Sequence, residues 1–110
     1  KTPTWVTSDA FVDTCRACLK REGVLTVNLL IEDEDMVKQA LWNLRQVFEK
    51  RVLCLPVPQH DNLILMAFAA PPDLDAMARA EETAKENWRL EFPRFLQMLR
   101  KVNPRGSGIF

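Results

Sequence analysis

Apolar residues recur at helical spacing near the start of the chain and then give way to an unbroken apolar run. Phe11, Cys15, Cys18 and Leu19 stand at i, i+4, i+7 and i+8, which lines one face of a helix. Ser8 precedes them, where its hydroxyl can accept a first-turn N–H, so a helix is predicted from Ser8 to about Lys20. Arg21-Glu22-Gly23 stops it, with a glycine suited to a left-handed turn. Residues 24–31, VLTVNLLI, are rich in β-formers and apolar on both faces. That pattern belongs to a strand inside a parallel sheet with helices over both sides.

Asp33, Glu34 and Asp35 then place negative charge where a helix N-terminus favours it, and Val37, Ala40, Leu41, Leu44, Val47 and Phe48 continue with helical period. This second helix is predicted to end near Lys50. Residues 52–55 and 63–69 read as two strands joined by a prolyl and polar turn at 56–62, an antiparallel hairpin. Ala70-Pro71-Pro72-Asp73 stops the second of these strands and caps a third helix, with Leu74, Met77, Ala78, Ala84 and Trp88 turned inward. A short last helix starts at Pro93, packs through Phe95, Leu96, Leu99 and Val102, and ends at residues 103–106. The resulting order is helix, strand, helix, strand, strand, helix, helix, which is the α/β class with an antiparallel hairpin at one end.

Three strands make a meagre sheet. The run at 24–31 needs hydrogen-bonding neighbours on both edges, and within residues 1–110 only the hairpin is available. Its free edge is therefore expected to pair with a second copy of the chain, to be covered by residues 1–7, or to be shielded in some other way.

At 110 residues, 47% hydrophobic and 27% charged, the composition is that of one small globular domain. Fifteen basic residues balance fifteen acidic ones, so no global field draws the chain to nucleic acid or to an anionic membrane. The longest mainly apolar stretch, residues 63–70, falls well short of the roughly 20 residues that span a bilayer. With no charged-then-apolar leader and three cysteines, an odd number, the chain reads as cytoplasmic with free thiols. Lys1 in place of Met, followed by Thr2-Pro3-Thr4, fits a processed or cut piece of a longer protein.

Residues 11–28, FVDTCRACLKREGVLTVN, resemble a helix, turn and strand of the spermidine synthases: an aromatic-led helix, a Leu-Lys-x-x-Gly-Val turn and a strand ending in Asn or Gln. Residues 41–69 follow with the family's order of helix, strand, short turn and last strand, Phe48 ending the helix and Asn62 opening the last strand. Residues 90–103, LEFPRFLQMLRKVN, resemble the C-terminal helix of the bacterial members. The resemblance implies the C-terminal half of a doubly wound, Rossmann-like methyltransferase-type sheet, with one strand plus an antiparallel hairpin flanked by helices. It implies transfer of an aminopropyl group from decarboxylated S-adenosylmethionine to putrescine or a similar amine. The family's nucleoside-binding glycine loop, ribose-binding carboxylate and catalytic aspartate all lie upstream of the matched region. No cofactor-binding, catalytic or metal-binding residue is therefore expected in this chain, and the chain alone is expected to be inactive. A methyltransferase using intact S-adenosylmethionine shares the fold, and a non-catalytic, self-associating module is the reading from a different class.

Asn28 interrupts an otherwise apolar strand near its carboxyl end, the side on which open α/β sheets bind ligands, so its amide is a candidate to face a small-molecule acceptor. Trp5 is a second candidate, as pocket lining or as a cover for the open edge. Cys15 and Cys18 have C-x-x-C spacing but lie inside a helix, so packing is expected of them, as of Cys54 in its strand. His60, the only histidine, sits beside Asp61 in a prolyl turn and reads as a solvated loop residue. Asp33, Glu34 and Asp35 could receive a cationic amine, but helix capping explains them. Trp5, Trp42 and Trp88 are too widely spread for a stacking platform and are expected to pack.

Overall fold

The computed structural model describes residues 3–57, 59–73, 75, 76, 78–80, 82 and 101–103. A 3₁₀ turn at Thr4–Thr7 leads into helix α1 (Asp9–Cys18), strand β1 (Val24–Leu30), helix α2 (Glu34–Val47), strand β2 (Val52–Pro56) and strand β3 (Asn62–Phe68). The Ser8 hydroxyl oxygen accepts the Phe11 N–H at 3.3 Å and opens α1 as predicted. Asp33 opens α2 in the same way, its carboxylate accepting from the Met36 N–H at 3.2 Å.

Gly23 serves a different purpose from the one expected. Its backbone is not left-handed; instead, a Cβ there would lie 3.0 Å from Leu19 Cδ2 and 3.1 Å from both Leu19 Cβ and the Lys20 carbonyl oxygen. Close approach, not a positive φ, requires the glycine. Gly23→Ala is expected to cost about 1–2 kcal/mol by overpacking this corner, read as a lower urea midpoint at unchanged slope. An unaltered midpoint would show that Leu19 yields freely.

Left-handed residues occur instead in the β2–β3 turn, where Gln59 has φ 63°, and at the end of α2, where Glu49 has φ 54° and Lys50 φ 67°. The helix therefore stops at Val47, short of the Lys50 end expected from periodicity. The Lys50 N–H donates to the Arg45 carbonyl at 2.8 Å and the Val52 N–H to the Lys50 carbonyl at 2.8 Å, turning the chain sharply into β2.

The three strands form one antiparallel sheet in the order β1-β3-β2. The hairpin of β2 and β3 is as predicted, with Val52 opposite Ala67 and Pro56 opposite Leu63. β1 lies along the other side of β3, from Val24 opposite Phe68 to Leu30 opposite Asn62. Within the described residues β1 is thus an antiparallel edge strand rather than an interior parallel one, and its burial alternates. Leu29 is buried and Leu25 and Val27 half-buried on one face, while Val24, Thr26, Asn28 and Leu30 are exposed on the other. An apolar residue can occupy either face of a strand; what covers that face is a tertiary fact.

Helices α1 and α2 pack on the inner face, where Val12, Ala40, Leu44 and Phe48 meet Leu29, Val52, Leu65 and Ala67. Leu53 and Leu55 alternate with Val52 and Cys54 along β2 and are buried on the opposite face. Several packing expectations fail here. Trp42 is 64% exposed on the outer side of α2, and Trp5, Cys18 and Val102 are also exposed. Ala40, Leu44 and Phe48 already complete the inward stripe of α2, which leaves Trp42 between them facing solvent. The third helix begins as expected, with the Asp73 carboxylate accepting the Ala76 N–H at 2.9 Å. Leu74, Met77, Ala84 and Trp88 lie outside the described residues, as does the expected last helix from Pro93 through Leu99. No helix among the described residues is long and apolar enough to cross a membrane.

Candidate functional site

The two edges of the sheet differ in what they offer. On β1, the Gly23 carbonyl accepts the Ala69 N–H at 3.0 Å and the Ile31 N–H donates to the Asp61 carbonyl at 2.8 Å. Antiparallel alternation then turns Leu25, Val27 and Leu29 toward β3 and points the backbone groups of Val24, Thr26, Asn28 and Leu30 away from it. Among the described residues, nothing takes the N–H of any of these. Among the described residues, the outer edge of β1 is open along its length.

The outer edge of β2 is closed. The Phe68 N–H donates to the Arg51 carbonyl at 2.9 Å and the Val57 N–H to the Asn62 carbonyl at 3.0 Å, so Val52, Cys54 and Pro56 face outward. The Val52 N–H is taken by the Lys50 carbonyl and Pro56 has no N–H. The Cys54 N–H donates to Asn103 Oδ1 at 2.8 Å, and Asn103 Nδ2 donates back to the Cys54 carbonyl at 2.8 Å. No outward N–H on β2 is left for another strand.

Asn28 stands near the carboxyl end of β1, exposed on the outer face, and its Oδ1 accepts from Asn62 Nδ2 at 3.0 Å. Among the described residues nothing takes the Asn28 amide N–H groups, so they remain available to an acceptor. Trp5 lies elsewhere. Its ring meets Phe11 edge-on with centroids 5.1 Å apart, the 3₁₀ turn packs on α1 and α2, and Val6 lines a small inner-face cavity together with Leu25 and Val27. The structure therefore does not bring Asn28 and Trp5 together.

The remaining candidates occupy unremarkable surroundings. His60 and Asp61 are exposed, and Glu34 and Asp35 flank the Asp33 cap. All three cysteines are free. Partial burial, and secondarily the neighbouring Cys18, pushes the Cys15 thiol up, and burial pushes Cys54 up against a smaller opposing effect of Arg45. Raised thiols are protonated at neutral pH and poor nucleophiles, which suits a packing role. No group of three or more acidic, histidine or cysteine side chains among the described residues is arranged to hold a metal. Gly23 is the one glycine among the described residues and packs against Leu19, so no glycine-rich turn there could cradle a nucleoside.

Three polar residues that the sequence reading passed over prove structurally central. Arg51 donates from Nε to the Phe68 carbonyl at 3.0 Å and from a terminal nitrogen to the Ala69 carbonyl at 2.9 Å, and pairs with Glu49 at 2.6 Å. Asn43 is buried on α2 with Oδ1 accepting from Gln39 at 3.0 Å. Its place one turn before Val47, inside the apolar stripe, was the available signal. Asn103 gave none, since Asn before Pro reads only as a helix stop.

Among the described residues the antiparallel triplet has one closed and one open edge and no glycine-rich turn for a nucleoside. A polyamine aminopropyltransferase of Chromobacterium violaceum is 29% identical over 106 residues, which span 94% of this chain and 40% of that protein. One from Neisseria meningitidis serogroup A is 30% identical over 105 residues, 93% of this chain and again 40% of the relative. The chain is similar to part of the polyamine aminopropyltransferases. It spans about two fifths of the length of these curated relatives of the aminopropyltransferase family. No protein-family profile matches the chain. No solved structure matches it either.

Proposed function

We propose that this chain is the C-terminal part of a polyamine aminopropyltransferase that moves an aminopropyl group from decarboxylated S-adenosylmethionine to putrescine or a similar amine. The similarity along nearly the whole chain supports this reading most directly. The sheet is then the far end of a doubly wound sheet, with β1 receiving its next strand from the upstream part of the polypeptide. Its open edge supports that placement, because Val24, Thr26, Asn28 and Leu30 present unpaired backbone groups flanked by apolar side chains. Without that upstream part, the same edge is expected to pair with a second copy. A cytoplasmic setting is supported by three free thiols.

The chemistry is an in-line displacement. The neutral amine attacks the carbon next to the sulfonium, a C–N bond forms as the C–S bond breaks, the nucleoside thioether leaves, and the new ammonium loses a proton. Positioning dominates such a step, and Asn28 is the residue of this chain offered for it. It stands near the carboxyl end of β1, the side on which open α/β sheets bind ligands, and its Oδ1 is held by Asn62. The described residues do not fit the donor's nucleoside, so no step is assigned here to residues holding it.

The test uses the full-length protein with putrescine and either the decarboxylated or the intact donor, products identified by mass spectrometry. Methylthioadenosine from the decarboxylated donor is the expected product. S-adenosylhomocysteine from the intact donor would replace aminopropyl by methyl transfer, and no nucleoside product from either would leave a binding module. Asn28→Ala is expected to lower kcat/KM by roughly tenfold, the size of one lost hydrogen bond, with stability changed by no more than about 0.5 kcal/mol. Unchanged kcat/KM would remove Asn28 from the acceptor site.

A further inference from the structure

We propose that Asn103 is an edge lock: its side-chain amide stands in for a neighbouring strand on β2 and confines strand addition in this sheet to β1. An edge strand ordinarily presents a row of unpaired N–H and C=O groups to any passing strand. On β2 the vulnerable outward residue is Cys54, since the Val52 N–H turns back to the Lys50 carbonyl and Pro56 carries none. Asn103 answers Cys54 with an acceptor and a donor at once, each at 2.8 Å, the pairing that a β-strand backbone would make. A primary amide is the side-chain group that offers this donor and acceptor side by side.

Burial strengthens the lock. Asn103 is 4% exposed and Cys54 only half-buried, so water does not compete freely for the two bonds. The lock also ties a residue far along the chain to the middle of β2. It holds whichever donor the transferase uses, since it concerns only which sheet edge can accept a strand.

Hydrogen exchange and sedimentation on the full-length protein test it. In the unaltered protein the Cys54 amide is expected to be protected although it lies on an edge strand; exchange there at the unprotected rate would overturn the lock without any variant. Asn103→Leu removes both arms, and the Cys54 protection factor is expected to fall roughly tenfold to thirtyfold while the protein gains concentration-dependent self-association. Asn103→Asp keeps the shape and the acceptor but sets a carboxylate against the Cys54 carbonyl. Protection should fall at neutral pH, where the carboxylate repels the Cys54 carbonyl, and recover in acid, where the protonated carboxyl again donates. A general packing role for Asn103 predicts a loss of protection spread over the whole sheet rather than one centred on Cys54. Unchanged Cys54 protection in Asn103→Leu, or a monodisperse variant at high concentration, would overturn the proposal.

Discussion

Phe48→Ala is expected to lower stability by about 3–5 kcal/mol, the largest single effect in this chain. Phe48 is fully buried and is the largest such side chain among the described residues, sitting where α2 hands over to β2 and packing with Leu44, Val52 and Leu65. Its ring also lies 5.5 Å beneath the Arg16 guanidinium. Arg16 donates to the Val47 carbonyl at the end of α2 and stands 3.9 Å from Glu49, so losing the ring loosens the group that ties α1 to α2. Glu49 and Lys50, both left-handed without being glycine, depend on that fixed neighbour to hold their strained turn. Small domains are stable by only about 5–15 kcal/mol, so the variant should approach the unfolding threshold. Phe48→Leu, which keeps most of the volume, should cost much less. Equal losses for the two variants in urea denaturation would show that ring shape, not the cavity, governs the site.

The second large effect is expected at Arg51. Arg51→Ala removes both of its bonds to the Phe68 and Ala69 carbonyls and the ion pair with Glu49, and should cost about 2–3 kcal/mol. The guanidinium fork braces the end of β3 against the strained turn, a geometry that lysine cannot reproduce, so Arg51→Lys should recover little of the loss. The pair also sets an acid sensitivity. A hydrogen bond from Arg51, then the charge of Arg51, then that of Arg16 hold the exposed Glu49 carboxyl below its ordinary value. A depressed folded value means the contribution is fully present above the unfolded value and is lost as the pH falls through the folded one. Urea midpoints across that acid range should fall in the unaltered protein, and that component should be smaller in Arg51→Ala. Identical acid slopes would show that the Glu49 pairing adds nothing to folding.

How far the sequence could be read depends on the range of each interaction. Both helix starts were legible because a cap is local: Ser8 and Asp33 accept N–H groups three residues ahead in the same segment. The β2–β3 hairpin was legible for the same reason, two strands separated by a short polar turn. The resemblance carried by residues 11–28, 41–69 and 90–103 agrees with the similarity to aminopropyltransferases found over nearly the whole chain.

Long-range choices were not legible. Periodicity carried α2 on to Lys50, but packing of Phe48 and the bond from Lys50 to Arg45 stop it at Val47. Gly23 looked like a left-handed stop, and only the position of Leu19 shows that space is what it supplies. Trp42 looked like a core residue by type, yet the inward stripe of α2 is filled without it. At the candidate site, Asn28 was visible as a polar interruption in an apolar strand, whereas its partner Asn62 lies 34 residues away in sequence and becomes a neighbour only through the register of β1 on β3.

The sequence by itself determined where α1, α2 and the three strands form, because caps, turns and periodicity act over a few residues. The tertiary structure alone decided that β1 lies antiparallel on β3 with one face exposed among the described residues, that Asn103 closes β2 and that Arg51 braces β3, because each depends on a group from a distant part of the chain arriving within hydrogen-bonding reach.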